Sequence, residues 1–542
     1  MKRKLYIFLS IVFVILIFKL GSWGLTFSSE ARYAEIAKEM FVKGDFINPV
    51  LLGIKHLHKP PVTYYLTALG YQLFGINEFG ARFFMQVALI LQLLFVFKIT
   101  LLLYKKEKIA FAATLIYFSF PIIIIAVRNL TTDAYLTTFI LGSIYFWLQY
   151  REQSKPYFLY LFYIFLGLIF ETKGPVGFIV PLTFIITHKI VHKSKIEISI
   201  HQILGFLLFL VVSLSWYLAV IYKNEGLLDY FLNTQIVERI SKNKFNREKP
   251  IWYYLVLIPL VGLPWVFYLI LYFKKNLKKI ITKKSTDFIL LVTFSVLFII
   301  LSLSTSKLIL YILPLYFILA IFSAKYLSTS SKKGIQNLSI LFLILIGLIC
   351  TSLVIISIIK SDGIEINLSV SLILFTISVI ISLLIYKKIS PKNYLKPTYL
   401  AVIFIGTIII SSNHIFTENE LKINSVKPIV NFIKETHKQE HEILVYNYLL
   451  PSLSFYLGDN ITTINHGKYT TQREVQFETN KLWKKHLINY FDPIDRARLL
   501  NFTSKDSIFL IKRKKDILPD TLLTLKNNLK HQKDFGKFEV FY

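Results

Sequence analysis

Acidic residues are scarce in this chain: 32 Asp and Glu stand against 62 Lys and Arg, a formal net charge of +30. Cysteine is scarcer, with Cys350 alone in 542 residues, so no intramolecular disulfide can form and dithiol redox chemistry has no pair to work with. Charge of either sign is thin, at 17% of residues, while 54% are hydrophobic. The mean hydropathy is +0.56. A water-soluble globule of that make-up would expose too much apolar surface, so the bilayer is the main solvent. The positive excess does not point to nucleic acid, because the aromatics sit inside the apolar runs rather than among the basic residues. Internal repeats and low-complexity linkers are absent as well.

Apolar runs long enough to span centre near residues 13, 93, 118, 142, 163, 181, 211, 262, 296, 316, 348, 376 and 405. Basic clusters fall on alternate connections between them: 2–4, 105–108, 151–155, 189–195, 274–284, 325–333 and 387–396. All lie on one side if the N-terminus is cytoplasmic, as the positive-inside rule asks. Residues 1–20 resemble a signal peptide but no small-residue cleavage site follows, so a retained signal anchor is expected. The fold expected is a polytopic α-helical membrane protein of about 13 transmembrane helices. Residues 1–411 would form the transmembrane domain, with a long outer loop at 22–82. From 412 to 542 the apolar runs give way to short β-rich stretches (443–446, 507–511 and 538–541) among helical ones, which reads as a small α/β domain on the outer side.

The outer loop concentrates chemistry. It reads Ser29-Glu30-Ala31-Arg32-Tyr33-Ala34-Glu35-Ile36, then Gly44-Asp45, then His56-Leu57-His58-Lys59-Pro60-Pro61. Ser29 is placed to cap a helix beginning at Glu30, Gly44-Asp45 to end it, and Lys59-Pro60-Pro61 to set up the next. Around the outer edge, Arg32, Lys59, Arg128, Lys173, Arg239 and Lys307 are candidate phosphate partners, and Glu30, Glu35, Asp45, Asp133 and Glu238 candidate carboxylates. Each has a plainer reading: a charge at a span end anchors the interface, Glu35 and Lys38 form a solvated helix face or a local ion pair, and Asp133 caps the span behind it. Lys173 resists that reading. It sits in the tight turn Glu171-Thr172-Lys173-Gly174-Pro175 between two spans, where a buried lysine needs an anion. His56 and His58, two apart, would face one way in an extended segment and could hold a divalent metal, though no third ligand is evident.

These motifs resemble the bacterial membrane glycosyltransferases of the aminoarabinose–lipid A transferase type, related to the protein O-mannosyltransferases and sharing the GT-C fold. The resemblance runs from about residue 20 to 320. It includes His58-Lys59-Pro60-Pro61, Asn77-Glu78-Phe79-Gly80-Ala81-Arg82, Thr172-Lys173-Gly174, Trp252-Tyr253-Tyr254, Leu263-Pro264-Trp265, Ser306-Lys307-Leu308 and Tyr311-Ile312-Leu313-Pro314. It implies an undecaprenyl-phosphate sugar donor, inversion at the anomeric carbon and a site on the periplasmic face of the inner membrane. Arg32, Lys59, Lys173 and Tyr311 match residues held to contact the donor phosphate or line its pocket; Lys307 and Arg239 join them as further candidates. Three positions depart from the family pattern. Ser29 stands where an Asp is the favoured carboxylate, which leaves Glu30 as the catalytic candidate. His58 stands where a Glu lies near a metal, and Ile236 where a His does.

The reading is therefore a glycosyltransferase moving one sugar from a polyprenyl phosphate to a lipid A or glycolipid acceptor. A protein O-glycosyltransferase is the alternative, with a Ser or Thr hydroxyl as acceptor and so a stronger need for a base. A glycolipid transporter or flippase would carry ionisable groups near mid-span, whereas here they lie at span ends and in loops.

Overall fold

The computed structural model describes residues 1–27, 29–194, 199–237, 248–283, 285–359, 363–436, 441–458, 461–468, 471–502 and 508–542. Its first ten helices are α1 (Lys2–Ile17), α2 (Ser29–Lys43), α3 (Val62–Phe74), α4 (Glu78–Tyr104), α5 (Glu107–Phe118), α6 (Pro121–Val127), α7 (Thr132–Gln153), α8 (Pro156–Lys173), α9 (Ile179–Val191) and α10 (Ile200–Lys223). Long apolar helices continue to Glu418. Among the described residues, seven helices are long and apolar enough to cross a membrane, or up to nine if each of two bent pairs is one span. One bent pair is α5 with α6, turned by 63°; the other is Tyr253–Val261 with Trp265–Thr282, turned by 113°. Pro121 at the start of α6 denies the ladder a donor at the first break.

The other centres read from the sequence lie on α1, α7, α8 and α9. With 16 and 13 residues, α1 and α9 are short for a span. Polar residues lower the apolarity of α7, which carries Asp133, Thr137, Thr138, Arg151 and Glu152, and α8 closes on Glu171-Thr172-Lys173.

Two compact units are formed, one from residues 1–19 and 83–415, the other from 20–82 and 416–542. The linear division of the sequence kept the outer loop with the spans. By contacts, that loop belongs with the tail.

In the span unit, glycines bring helices together. A Cβ on Gly142 of α7 would stand 2.1 Å from the Phe165 ring, one on Gly167 2.6 Å from Val212, and one on Gly205 2.3 Å from the Tyr163 ring. Small residues at such crossings let α7, α8 and α10 approach closely where lipid supplies no hydrophobic drive between helices.

In the other unit, the tail builds a six-stranded sheet from β3 (Glu442–Tyr446), β4 (Ile461–Asn465), β5 (Leu487–Asn489), β6 (Ile508–Arg513), β7 (Gln532–Phe535) and β8 (Phe538–Phe541); β1 (Val50–Leu51) and β2 (Ile54–Lys55) form a separate small hairpin. The order is β5-β4-β3-β6-β8-β7, parallel from β5 to β6 and antiparallel beyond. Alternation along β3 sends Ile443 and Val445 into one apolar cluster with Ile429 and Leu453, and Leu444 and Tyr446 into another with Leu510 and Leu522. The apolar stretches noted in the sequence are β3, β6 and β8, with Ser507 outside the described residues.

Helix α2 begins at Ser29 itself rather than being capped by it, and Gly44, at φ +67°, ends it as expected. The loop segment is held by a buried ion pair. Arg82 donates from Nε to Glu30 Oε1 at 2.8 Å and from Nη2 to Glu30 Oε2 at 3.1 Å. It also donates to the carbonyls of Leu20, Trp23 and Gly24 at 2.9–3.1 Å and lies 4.5 Å from the Trp23 ring. Glu30 further accepts from the Thr26 amide and hydroxyl at 2.9 and 3.1 Å. Nearby, Glu78 takes Lys427 at 2.8 Å and the Tyr456 hydroxyl at 3.0 Å, tying the loop to the tail.

Removing one member of such a buried pair leaves the other charge stranded. Arg82→Leu or Glu30→Leu alone is expected to cost about 3–5 kcal/mol, seen as a lower thermal midpoint in detergent. The double variant should lose much less than the sum; strict additivity would deny the pair this role.

Candidate active site

The residues singled out in the sequence fall into groups on the two units. In the span unit, Lys173, Asp133 and Tyr311 converge. The Lys173 ammonium is in contact with Asp133 Oδ1 and lies 4.1 Å from the centre of the Tyr311 ring. Asp133 stands in the first turn of α7, where a carboxylate suits the helix dipole, and Lys173 in the last turn of α8, where a cation does. The turn itself requires glycine: Gly174 takes φ +76°, and no atom lies within 4 Å of where its Cβ would be, so backbone conformation and not space excludes a side chain. Tyr311 is carried by a 3-10 turn, Ile309–Leu315. That turn is pinned at its entrance by the Tyr254 hydroxyl, which donates to the Leu308 carbonyl at 2.9 Å and accepts from its amide at 3.1 Å.

Lys307 is nearby in sequence but differently employed. It is buried, and its ammonium donates to the carbonyls of Lys249, at 3.0 Å, and Ser304. Burial pulls its pKa down. Ser304 closes the helix Thr286–Leu303, so Lys307 serves as a C-terminal cap for backbone that a span end leaves unpaired. Arg128 is likewise engaged, donating to the Leu16 carbonyl at 2.7 Å and to Asn413 Oδ1. Arg239 and Glu238 lie outside the described residues.

In the other unit, Glu30 is buried at 1% exposure and bound to Arg82, which is not the setting of a carboxylate open to substrate. Arg32, two residues on, is exposed and makes no ion pair among the described residues. Its charge is felt by Tyr64 and Tyr448, opposing the rise that burial imposes on both hydroxyls. The Tyr64 hydroxyl and the Thr63 hydroxyl are buried without a hydrogen-bond partner among the described residues, and the Tyr33 ring lies 5.8 Å from that of Tyr64. Lys59 is half-buried just ahead of α3. Asp45 builds a turn, accepting from the Ile47 and Asn48 amides at 2.9 and 3.2 Å and from the Asn48 side chain at 2.8 Å. The imidazoles of His56 and His58 pack edge to face at 4.6 Å, with Phe477 against His58 at 5.2 Å. Among the described residues no group of three His, Cys, Asp or Glu is placed to hold a metal ion, and no third donor joins this pair there.

Glu35 is fully buried on α2. It accepts from the Ser454 hydroxyl at 2.7 Å and has Lys38 at 3.5 Å, so of its two plainer readings the local pair is found and the solvated helix face is not. Burial nonetheless raises its carboxyl to about 7.

Sequence reasoning passed over two residues. Arg82 was noted only as the end of the Asn77-to-Arg82 motif, although an arginine near the start of an apolar run, where lipid cannot solvate it, was itself a signal that a carboxylate waits for it. Tyr64 follows directly on the Lys59-Pro60-Pro61 motif and carried no signal beyond that.

Known proteins of similar sequence and shape bear on this geometry. The dolichyl-phosphate-mannose-protein mannosyltransferase family pattern matches residues 58–216. A protein of uncharacterised function from Aquifex aeolicus is 30% identical over 343 residues, covering 63% of this chain and 68% of that one. The chain belongs to the GT-C glycosyltransferase family of the aminoarabinose transferases. Within it, the undecaprenyl phosphate-alpha-4-amino-4-deoxy-L-arabinose arabinosyl transferase 2 of Proteus mirabilis is 29% identical, and the match spans 60% of each chain. The fold is that of ArnT from Cupriavidus metallidurans, whose crystal structure was solved bound to undecaprenyl phosphate. The TM-score is 0.77 at 19% identity, over 99% of this chain and 97% of that one.

Stability tests follow from Glu35 and Gly174. An unfolded Glu35 keeps its proton only to about 4.5, the native one to about 7. The stability this contributes is complete below the lower value and lost as pH rises through the upper one. Glu35→Gln should change little at pH 5 and raise stability by about 1–3 kcal/mol at pH 8, read from thermal melts at the two pH values. Gly174→Ala should cost about 1–2 kcal/mol and lower the transfer rate by displacing Lys173.

Proposed function

We propose that this protein is an inverting glycosyltransferase that moves a single sugar from a polyprenyl phosphate, of the undecaprenyl type, to a phosphate-bearing lipid of the lipid A class on the periplasmic face of the bacterial inner membrane. The observation that carries this is the meeting of Lys173, Asp133 and Tyr311 at the ends of two helices. The names of the related transferases support the donor class. The alternating basic clusters support a cytoplasmic N-terminus and a periplasmic C-terminal segment.

The reaction sets the electrostatic demand. An acceptor oxygen attacks the anomeric carbon from the face opposite the donor phosphate. The bond from that carbon to the phosphate oxygen breaks, and its electron pair stays on the oxygen. The departing polyprenyl phosphate gains a negative charge, so a cation near that oxygen stabilises the transition state more than the ground state. In this reading Lys173 is that cation, oriented by Asp133 and by the face of Tyr311. Arg32 is assigned to an anionic group of substrate. Glu30 acts as a positioning residue for the loop through Arg82. A phosphate acceptor is already ionised and needs no base, which agrees with Ser29 standing where relatives favour Asp. No step is routed through a metal, since among the described residues no third donor joins His56 and His58.

The second reading, a Ser or Thr hydroxyl of a protein as acceptor, is favoured by the mannosyltransferase pattern over residues 58–216 and would give Asp133 the base role.

Mass spectrometry of polyprenyl-phosphate lipids decides between transfer and its absence. Sugar-loaded carrier should accumulate when the protein is deleted, and wild type but not Lys173→Ala should clear it. We expect kcat/KM to fall by about 10²–10³ for Lys173→Ala and less for Lys173→Arg. A carrier pool unaltered by deletion would sink the reading. Modified peptides in place of modified lipid would favour the second.

A further inference from the structure

A slot between α7, α8, α9 and α10, at the end of α7 far from Asp133, answers to none of the chemistry above. It has a volume of about 420 Å³, within the range of small-molecule sites. Arg151, Lys189 and Gln202 stand at one end and Leu166, Phe178 and Phe209 line the other. The 18 residues of α7 from Asp133 to Arg151 correspond to roughly 27 Å of helix. The slot mouth is therefore on the membrane face opposite Lys173 and Asp133. From Lys189 back to Phe178, the depth along α9 is roughly 16 Å.

The charges at the mouth are the informative part. Arg151 donates to the Ser194 hydroxyl at 3.1 Å, and neither it nor Lys189 has a carboxylate partner among the described residues. The acid next along the chain, Glu152, is taken by Lys105 at 2.5 Å. Two cations thus flank the entrance of an apolar slot, and among the described residues no carboxylate meets either. The wall is open towards the membrane, where Leu182 and Phe206 are 43% and 49% exposed. A soluble anion would leave the aromatic depth empty, and a neutral lipid would leave the two charges unmet.

We infer that this slot binds an anionic glycerophospholipid, its phosphate between Arg151 and Lys189 and one hydrocarbon chain running in towards Phe178. The charge-assisted hydrogen bonds of a guanidinium and an ammonium hold the phosphate. The acyl chain fills space that packed side chains leave open. Seated there, the lipid braces the far ends of the same α7–α8 pair whose near ends carry Asp133 and Lys173. The inference stands independently of the sugar-transfer reading.

Native mass spectrometry of the full chain, delipidated in detergent and then given phosphatidylglycerol or phosphatidylcholine, tests it. Phosphatidylglycerol should be retained in preference. Arg151→Ala with Lys189→Ala should weaken that retention by roughly ten- to thirtyfold, while the swap Arg151→Lys with Lys189→Arg should keep most of it. Leu166→Trp, which narrows the slot without touching the charges, should also abolish retention. Equal retention of both lipids, or phosphatidylglycerol binding untouched by the double alanine variant and by Leu166→Trp, would overturn the inference. So would full competition by soluble glycerol phosphate, which would mark an anion site with no lipid slot.

Discussion

The buried pair of Glu30 and Arg82 is the constraint on which the loop unit depends. A guanidinium out of water is tolerable only when its donors are met. Arg82 meets that demand with both carboxylate oxygens of Glu30, three carbonyls between Leu20 and Gly24, and the Trp23 ring. The start of α4 is thereby fastened to the chain entering α2. Everything the loop presents, from exposed Arg32 to the buried hydroxyl of Tyr64, is held on a segment whose two ends meet at that pair. Glu78, one turn before Arg82, adds the tie to Lys427 and Tyr456 of the tail.

The span unit solves a related problem in a different way. Lys173 and Asp133 neutralise one another at the ends of antiparallel helices, each also favoured by its own helix dipole. In the transferase reading proposed above, a substrate phosphate would compete with Asp133 for that ammonium. Lys307 and Arg128 show the contrasting use of a cation at a span end: their donors are given to carbonyls that helix termini leave open. Lys173, Lys307 and Arg128 are all cations near helix ends, and only the partner distinguishes them.

That distinction explains what was legible in advance. The need of Lys173 for an anion followed from its place in a tight turn between apolar helices, and the structure supplies Asp133. The strands β3, β6 and β8 were visible as short apolar stretches because a sheet with both faces covered leaves a dense apolar run. Glu30 read as a free catalytic carboxylate because nothing local contradicts it; its partner lies 52 positions away. Asp45 read as a candidate carboxylate although the Gly-Asp step before Asn48 was equally a turn signal. The loop read as part of the span domain because a linear division cannot see that residues 20–82 and 416–542 share one set of contacts.

The sequence by itself determined that this is a membrane protein, the approximate places of its apolar helices, the pattern of basic connections and the concentration of ionisable groups in a few segments. These follow from solvation, which acts on composition within a window of some twenty residues. Only the tertiary structure decided which charge meets which: Glu30 with Arg82, Lys173 with Asp133 and Tyr311, and Arg151 and Lys189 with no acid among the described residues. Pairing at a few ångströms is set by how distant helices pack, and no local window of sequence carries that distance.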